Sequence, residues 1–206
     1  MNKLLKQTLM IITLLMATTA LMFLSGCARY ARTINTLYEP GATVRGGSGE
    51  VYIVIPENQQ TKSPDIKWVI GVVKNDDNKK IDELLSSRSP AELAQSALSQ
   101  ELKRAGYTVL PAVQRPEKHT KLIDISKIDI SLDQLSDFAD IKATCRVQLG
   151  MDLYKNGTLI RKLQYESSAT KTDIKDRDLL AQKVLQDALQ SAMLNATPDL
   201  VQYLEK

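Results

Sequence analysis

Between residues 141 and 153 the chain alternates: Ile141, Ala143, Cys145, Val147, Leu149, Met151 and Leu153 interleave with Lys142, Thr144, Arg146, Gln148 and Asp152. A period of two puts the first set on one face of a strand and the second on the other. Such a strand needs an apolar layer on one side and leaves a polar face in water. Asn156-Gly157 comes next, a pair suited to a two-residue hairpin turn because both central residues of that turn take positive φ. The return strand, 158–170, is expected to bring Leu159, Leu163 and Tyr165 to one face. Upstream, Ile123 and Ile125 alternate with polar residues, the phase slips between Ser126 and Lys127, and Ile128, Ile130 and Leu132 resume it, which predicts a β-bulge. Together these segments predict a long antiparallel meander with one buried face.

The cover for that face is also legible. Ser89-Pro90-Ala91-Glu92 has the order of a capping box with proline in the first turn. Leu93, Ala94, Ala97, Leu98, Leu102 and Ala105 then recur at helical spacing, and Gly106 supplies a left-handed stop. A second apolar stripe, Leu180, Ala181, Val184, Leu185, Ala188, Leu189, Ala192 and Met193, predicts a helix over 176–195. Thr197-Pro198 is read as the cap and first position of a short final helix bearing Leu200, Val201 and Leu204. Strands are expected at 51–55, 66–74 and 107–110 from their β-branched content. The fold class is therefore α+β: an antiparallel β-sheet meander with two main helices packed on one face.

Little in the chain suggests chemistry. Gly46, Gly47 and Gly49 are followed by no Lys-Ser/Thr pair and open no helix, so they make no phosphate loop. In residues 75–83 Asp76 and Asp77 are adjacent and no glycine follows, unlike a calcium loop, so a solvated loop is expected. His119 is the single histidine, in a polar loop without the partners of a triad or a metal site. Asp124, Asp129, Asp133, Asp137 and Asp140 fall mostly opposite the isoleucines; a hydrolase would need them to converge in a pocket. Trp68 is read as a core residue and Cys145 as a buried, inert thiol. The expectation is no enzyme, no cofactor and no metal. With a net charge of +3 over 206 residues, and both signal-region lysines lost on processing, there is no electrostatic basis for nucleic-acid binding.

The N-terminus carries Lys3 and Lys6, then an uncharged apolar run ending in Leu24-Ser25-Gly26-Cys27. That is the order of a secretory signal, and the last four residues resemble the lipobox of bacterial lipoproteins. The resemblance implies cleavage before Cys27 and acylation of its thiol, with palmitate among the added chains. Ala28, in place of the aspartate that retains such proteins at the inner membrane, implies the outer membrane. Left uncleaved, residues 7–28 would be long enough for a membrane-spanning helix in the inner membrane; in either case the positive-inside rule puts the chain beyond residue 28 in the periplasm. The expected division is a signal peptide at 1–26, a lipidated N-terminus and tether at 27–49, and one periplasmic domain at 50–206.

The order of lipobox, strand, helix ending in a pattern like ELKRAGYTV at 101–109, long meander and terminal helix resembles small Gram-negative envelope lipoproteins. The groups it resembles are the YajG-type and the ABC-type transport auxiliary lipoproteins, with a related order in the lipopolysaccharide-assembly lipoprotein. The likeness covers residues 66–206, leaves the VRGGSGEVYIVIP segment as an addition, and carries over one functional position, Cys27. It implies a membrane-anchored binding or scaffold subunit in envelope biogenesis or lipid transport, meeting a protein partner through the polar sheet face or an edge strand. The alternative is a domain that carries a lipid or glycan in a groove between helices and sheet.

Overall fold

The computed structural model describes residues 32–35, 37–136, 140–174 and 177–206. Cys27, the signal-like segment and Asp137 lie outside them. Eight strands make one sheet: β1 (Arg32–Thr33), β2 (Glu50–Val54), β3 (Trp68–Lys74), β4 (Lys80–Ser86), β5 (Thr108–Ala112), β6 (Lys121–Ser136), β7 (Ile141–Lys155) and β8 (Thr158–Asp173). Helices α1 (Pro90–Ala105) and α2 (Arg177–Glu205) pack on one face.

The sheet is organised by β6. One edge of this strand pairs antiparallel with β7 from Lys121↔Lys155 to Ser136↔Ile141, and β7 pairs with β8 in the same sense. Its other edge is shared: β2 pairs parallel at 122–124 and β3 pairs parallel at 132–135. Each partner leads outward, β2 to β5 in parallel, and β3 to β4 antiparallel and on to β1 in parallel. The expected antiparallel sheet is therefore a mixed, forked one. The meander is as expected, but α1 is the covering layer of a crossover returning the chain to β2's side, and a crossover makes parallel neighbours.

Two strand details arise from local chemistry. The register slips between Ile125 and Lys127 opposite Met151 and Gly150, as the phase change at Ser126 predicts. A second slip, between Leu153 and Tyr154 opposite Arg161 and Leu159, turns Leu159 off the face of Leu163 and Tyr165. The expected grouping of the three fails because an extra residue reverses a strand's facing. The 75–83 segment is also not all loop. Asn75 accepts from the Lys79 amide at 2.9 Å, Asn78 takes φ 60°, and β4 starts at Lys80. Lysines and acids hid it, since only Leu84 and Ser86 of its residues are buried.

Helix α1 has its full capping box: the Glu92 amide donates to Ser89 Oγ at 3.1 Å and the Ser89 amide to Glu92 Oε2 at 2.8 Å, and Gly106 takes φ 119° at the C-cap. Helix α2 runs unbroken through Pro198, so the expected separate final helix does not exist. Thr197 does not cap; its hydroxyl donates back to the Met193 carbonyl at 2.7 Å. Pro198 is exposed, so the carbonyl it leaves without a partner is on the watered side, where the loss is least. Continuity is favoured by the buried Ala192, Met193, Ala196, Leu200 and Leu204 against the sheet.

Residues 32–35 and 37–49, part of the 27–49 stretch expected as tether, lie along the domain. Ile34, Tyr38 and Ala42 are buried, and the Gly47 amide donates to the Ala105 carbonyl at 3.0 Å. The fastening point is Glu101 of α1, 1% exposed. Its carboxylate accepts from Tyr38 Oη at 2.6 Å, Gly41 N at 2.7 Å and Ala42 N at 3.1 Å. Burial, then the Glu101 carboxylate itself, push the Tyr38 hydroxyl well above its ordinary range, so it stays a donor at every physiological pH.

Two outcomes are expected. Gly71 sits where a Cβ would come 2.0 Å from the Leu132 carbonyl oxygen, so Gly71→Ala should lower stability by about 1–3 kcal/mol, read as a lower urea midpoint at unchanged slope. Glu101→Ala should cost on the order of 2–3 kcal/mol, since it removes hydrogen bonds to a charged acceptor. Hydrogen exchange at the Gly41 and Ala42 amides should accelerate with it.

Candidate functional site

The three long strands have two unlike faces. Toward the helices, Ala143, Cys145, Val147 and Met151 are fully buried under α2, where Val184, Leu185, Ala188 and Leu189 are at most 1% exposed. The interface between helices and sheet is filled by these side chains. Cys145 lies within it; burial pushes its thiol up to about 12, which makes it a packing residue with no thiolate at neutral pH.

Among the described residues no helix covers the opposite face. Near the Asn156-Gly157 turn it is covered by the 113–120 loop, where the Arg115 guanidinium stacks 4.0 Å from the centre of the Tyr154 ring and meets Asp124 at 3.0 Å. Beyond the bulge the face is open and polar. Arg146 pairs with Glu166 at 3.5 Å and Lys74 with Asp133 at 3.1 Å, and the Thr144 and Thr170 hydroxyls lie 3.0 Å apart, while on the turn side of the bulge Lys162 pairs with Asp152 at 3.5 Å. These exposed pairs add little stability; they set a charge pattern. Where Gly150 leaves a gap beside the bulge, Lys127, Gln148, Gln164 and Glu166 rim a concavity of about 380 Å³. Among the described residues β8 pairs with β7 alone, so its other edge carries backbone donors and acceptors free of that sheet ladder.

The residues singled out in the sequence do not converge. Asp124 and Asp133 are nine residues apart on one strand, about 30 Å, each held by its own cation, while Asp129 and Asp140 are exposed. His119 Nδ1 lies 2.8 Å from the Pro116 carbonyl within its loop. Trp68 is half-buried against the core, its Nε1 donating to Thr61 Oγ1 at 2.9 Å. Among the described residues no three His, Cys, Asp or Glu side chains could hold a metal ion. No helix of the described residues is long and apolar enough to cross a membrane.

One polar cluster has no counterpart in the sequence reading. Glu205, at the end of α2, accepts from Lys121 Nζ at 2.6 Å, Ser48 Oγ at 2.9 Å and Ser48 N at 3.2 Å, with the Tyr107 hydroxyl beside it. Partial burial disfavours its charge, but the Lys121, Tyr107 and Ser48 donors outweigh that and hold the carboxyl at about 2. The cluster joins the C-terminus, β6 and the glycine-rich segment, which gives the VRGGSG stretch a structural role. Glu101 did carry a signal: it falls on the Ala97–Ala105 face of α1, an acid in an apolar stripe. Glu205 carried none, because its partners come from 84 and 157 residues away.

No protein-family model matches the chain, and no curated protein matches it. Among solved structures it is similar to a protein from Xanthomonas campestris at 10% identity, over 85% of this chain and 96% of the other, with a TM-score of 0.46. A minor lipoprotein from Acinetobacter baumannii is similar at 9% identity over 73% and 91%, with a TM-score of 0.38.

The site yields two measurements. Glu205 is depressed from an ordinary value of about 4.3 to about 2. Its contribution is thus complete above the unfolded value and is lost as pH falls from there through the folded one. Glu205→Gln should lower the melting temperature at pH 7, and the gap from the parent should close as pH falls from 4 to 2. Cys145 should remain unlabelled by a maleimide under native conditions and react fully in urea.

Proposed function

We propose that this chain is a non-enzymatic lipoprotein, acylated on Cys27, held on the periplasmic side of the outer membrane. It acts there as a binding or scaffold subunit in envelope biogenesis or lipid transport. The observation that carries the reading is β8: 16 residues long and, among the described residues, paired on one side only beside a polar face that no helix covers. A strand edge of this kind accepts an extended segment of another protein, with backbone hydrogen bonds giving affinity and side-chain pattern giving choice. Arg161, Lys162, Glu166 and Lys171 along it discourage indiscriminate pairing. The Leu24–Cys27 motif supports the anchor, and the filled interface between helices and sheet favours docking over carriage of a lipid inside.

Two experiments test this. The intact mass of membrane-extracted protein should begin at Cys27 with acyl chains added, and Cys27→Ala should abolish both processing and acylation. An unprocessed mass would defeat the anchor. Photo-crosslinkers placed at Gln164, Glu166 and Ser168 in living cells should each capture the same envelope protein, whereas crosslinkers at exposed α2 positions should not. Equal capture from both surfaces would remove β8 as the docking edge.

A further inference from the structure

The open edge of β8 has a sequence that complements itself. Its side chains fall into two rows. Lys162, Gln164, Glu166 and Ser168 are exposed on the polar face, while Leu163 and Tyr165 are half-buried on the helix side and pack against the core. Two copies joined edge to edge about a two-fold axis perpendicular to the sheet make an antiparallel pair in which like faces meet. The axis must then pass beside one residue of β8 and its own copy, so the possible registers are few.

The charges choose among them. An axis at Lys162 sets that lysine against its own copy. An axis at Glu166 does the same for the glutamate and brings Arg161 opposite the partner's Lys171; like charges directly opposite are destabilising. Axes at Leu163 and Tyr165 leave Lys162 and Glu166 opposite uncharged residues. An axis at Gln164 places Lys162 opposite the partner's Glu166, twice by symmetry, and Leu163 opposite the partner's Tyr165. Both charges already have partners within the chain, Lys162 with Asp152 and Glu166 with Arg146, each at 3.5 Å. This register keeps those pairs and joins them. Asp152, Lys162, the partner's Glu166 and the partner's Arg146 alternate in sign across the seam. On the helix side Leu163 and Tyr165 gain the apolar neighbour that an open edge denies them, and Arg161, stacked 5.3 Å from the Tyr203 ring centre, faces the uncharged Ser167 of the partner subunit.

We propose that β8 pairs antiparallel with β8 of a second copy of this chain, with Gln164 on the two-fold axis and residues 161–167 as the seam. This rests on the reading of β8 as the docking edge and names its occupant. The two sheets join into one, with the helices of both copies on one side and the polar faces continuous on the other. Self-pairing also closes a backbone edge that would otherwise invite indiscriminate strand addition.

Cysteine substitution in membranes of cells making the full chain tests the register. Directly opposite residues of an antiparallel pair have Cα atoms about 4.5–5.5 Å apart, within the reach of a disulfide. Gln164, Lys162, Glu166 and Ser168 are all exposed, and Cys145 is buried. Under mild oxidation Gln164→Cys should link most chains into a dimer, with peptide mass locating the disulfide between the two 164 positions. Lys162→Cys and Glu166→Cys should each stay unlinked alone and should link to one another when both variants are made in the same cell. The two copies of Ser168→Cys would lie about 27 Å apart along the seam and should link at least about tenfold less than Gln164→Cys. No linkage at 164, or equal linkage at 164 and 168, would overturn the second copy as occupant. The photo-crosslinkers at Gln164, Glu166 and Ser168 then separate the two readings: capture of a different envelope protein without a disulfide at 164 keeps β8 as a docking edge, and neither capture nor disulfide overturns the edge along with its occupant.

Discussion

Everything in this fold hangs on how the two edges of β6 are used. One edge is committed along its whole length to β7, which builds a long, regular ribbon with β8. The other is divided between two short partners, which lets the same strand support two branches. The division is possible because β6 is 16 residues long while β2 and β3 need only short stretches of it. Gly71 marks the tighter junction, where β3 approaches the Leu132 carbonyl more closely than any side chain would allow.

The branches would be loosely held by backbone pairing alone, and two carboxylates complete them. Glu101 pins residues 38–42 to α1, and Glu205 pins Ser48 and Lys121 to the end of α2. Each is a carboxylate meeting several donors already in place, the arrangement in which charge-assisted bonds are strongest. The two differ in burial. Glu101 is enclosed and fully desolvated, which makes the loss of its donors costly; Glu205 is at the rim and its effect is tied to pH.

The sequence by itself determined the elements whose signals are local. The alternation at 141–153, the Asn156-Gly157 turn, the slip at Ser126, the capping box at Ser89 and the stop at Gly106 each depend on a few neighbouring residues, and each is legible in them. The burial of Cys145 comes from its place in that alternation, and the scatter of Asp124, Asp129 and Asp133 from their spacing along one strand. Only the tertiary structure decided the rest. The forked, mixed sheet arises from which edges remain free once the meander forms. β4 is a strand because β3 and β1 flank it, despite its charges. α2 ignores Pro198 because the apolar stripe on both sides of it outweighs one backbone hydrogen bond. Residues 38–42 dock because Glu101 offers its acceptors to Tyr38, Gly41 and Ala42. Each of these depends on groups far apart in the chain, and no local window can contain them.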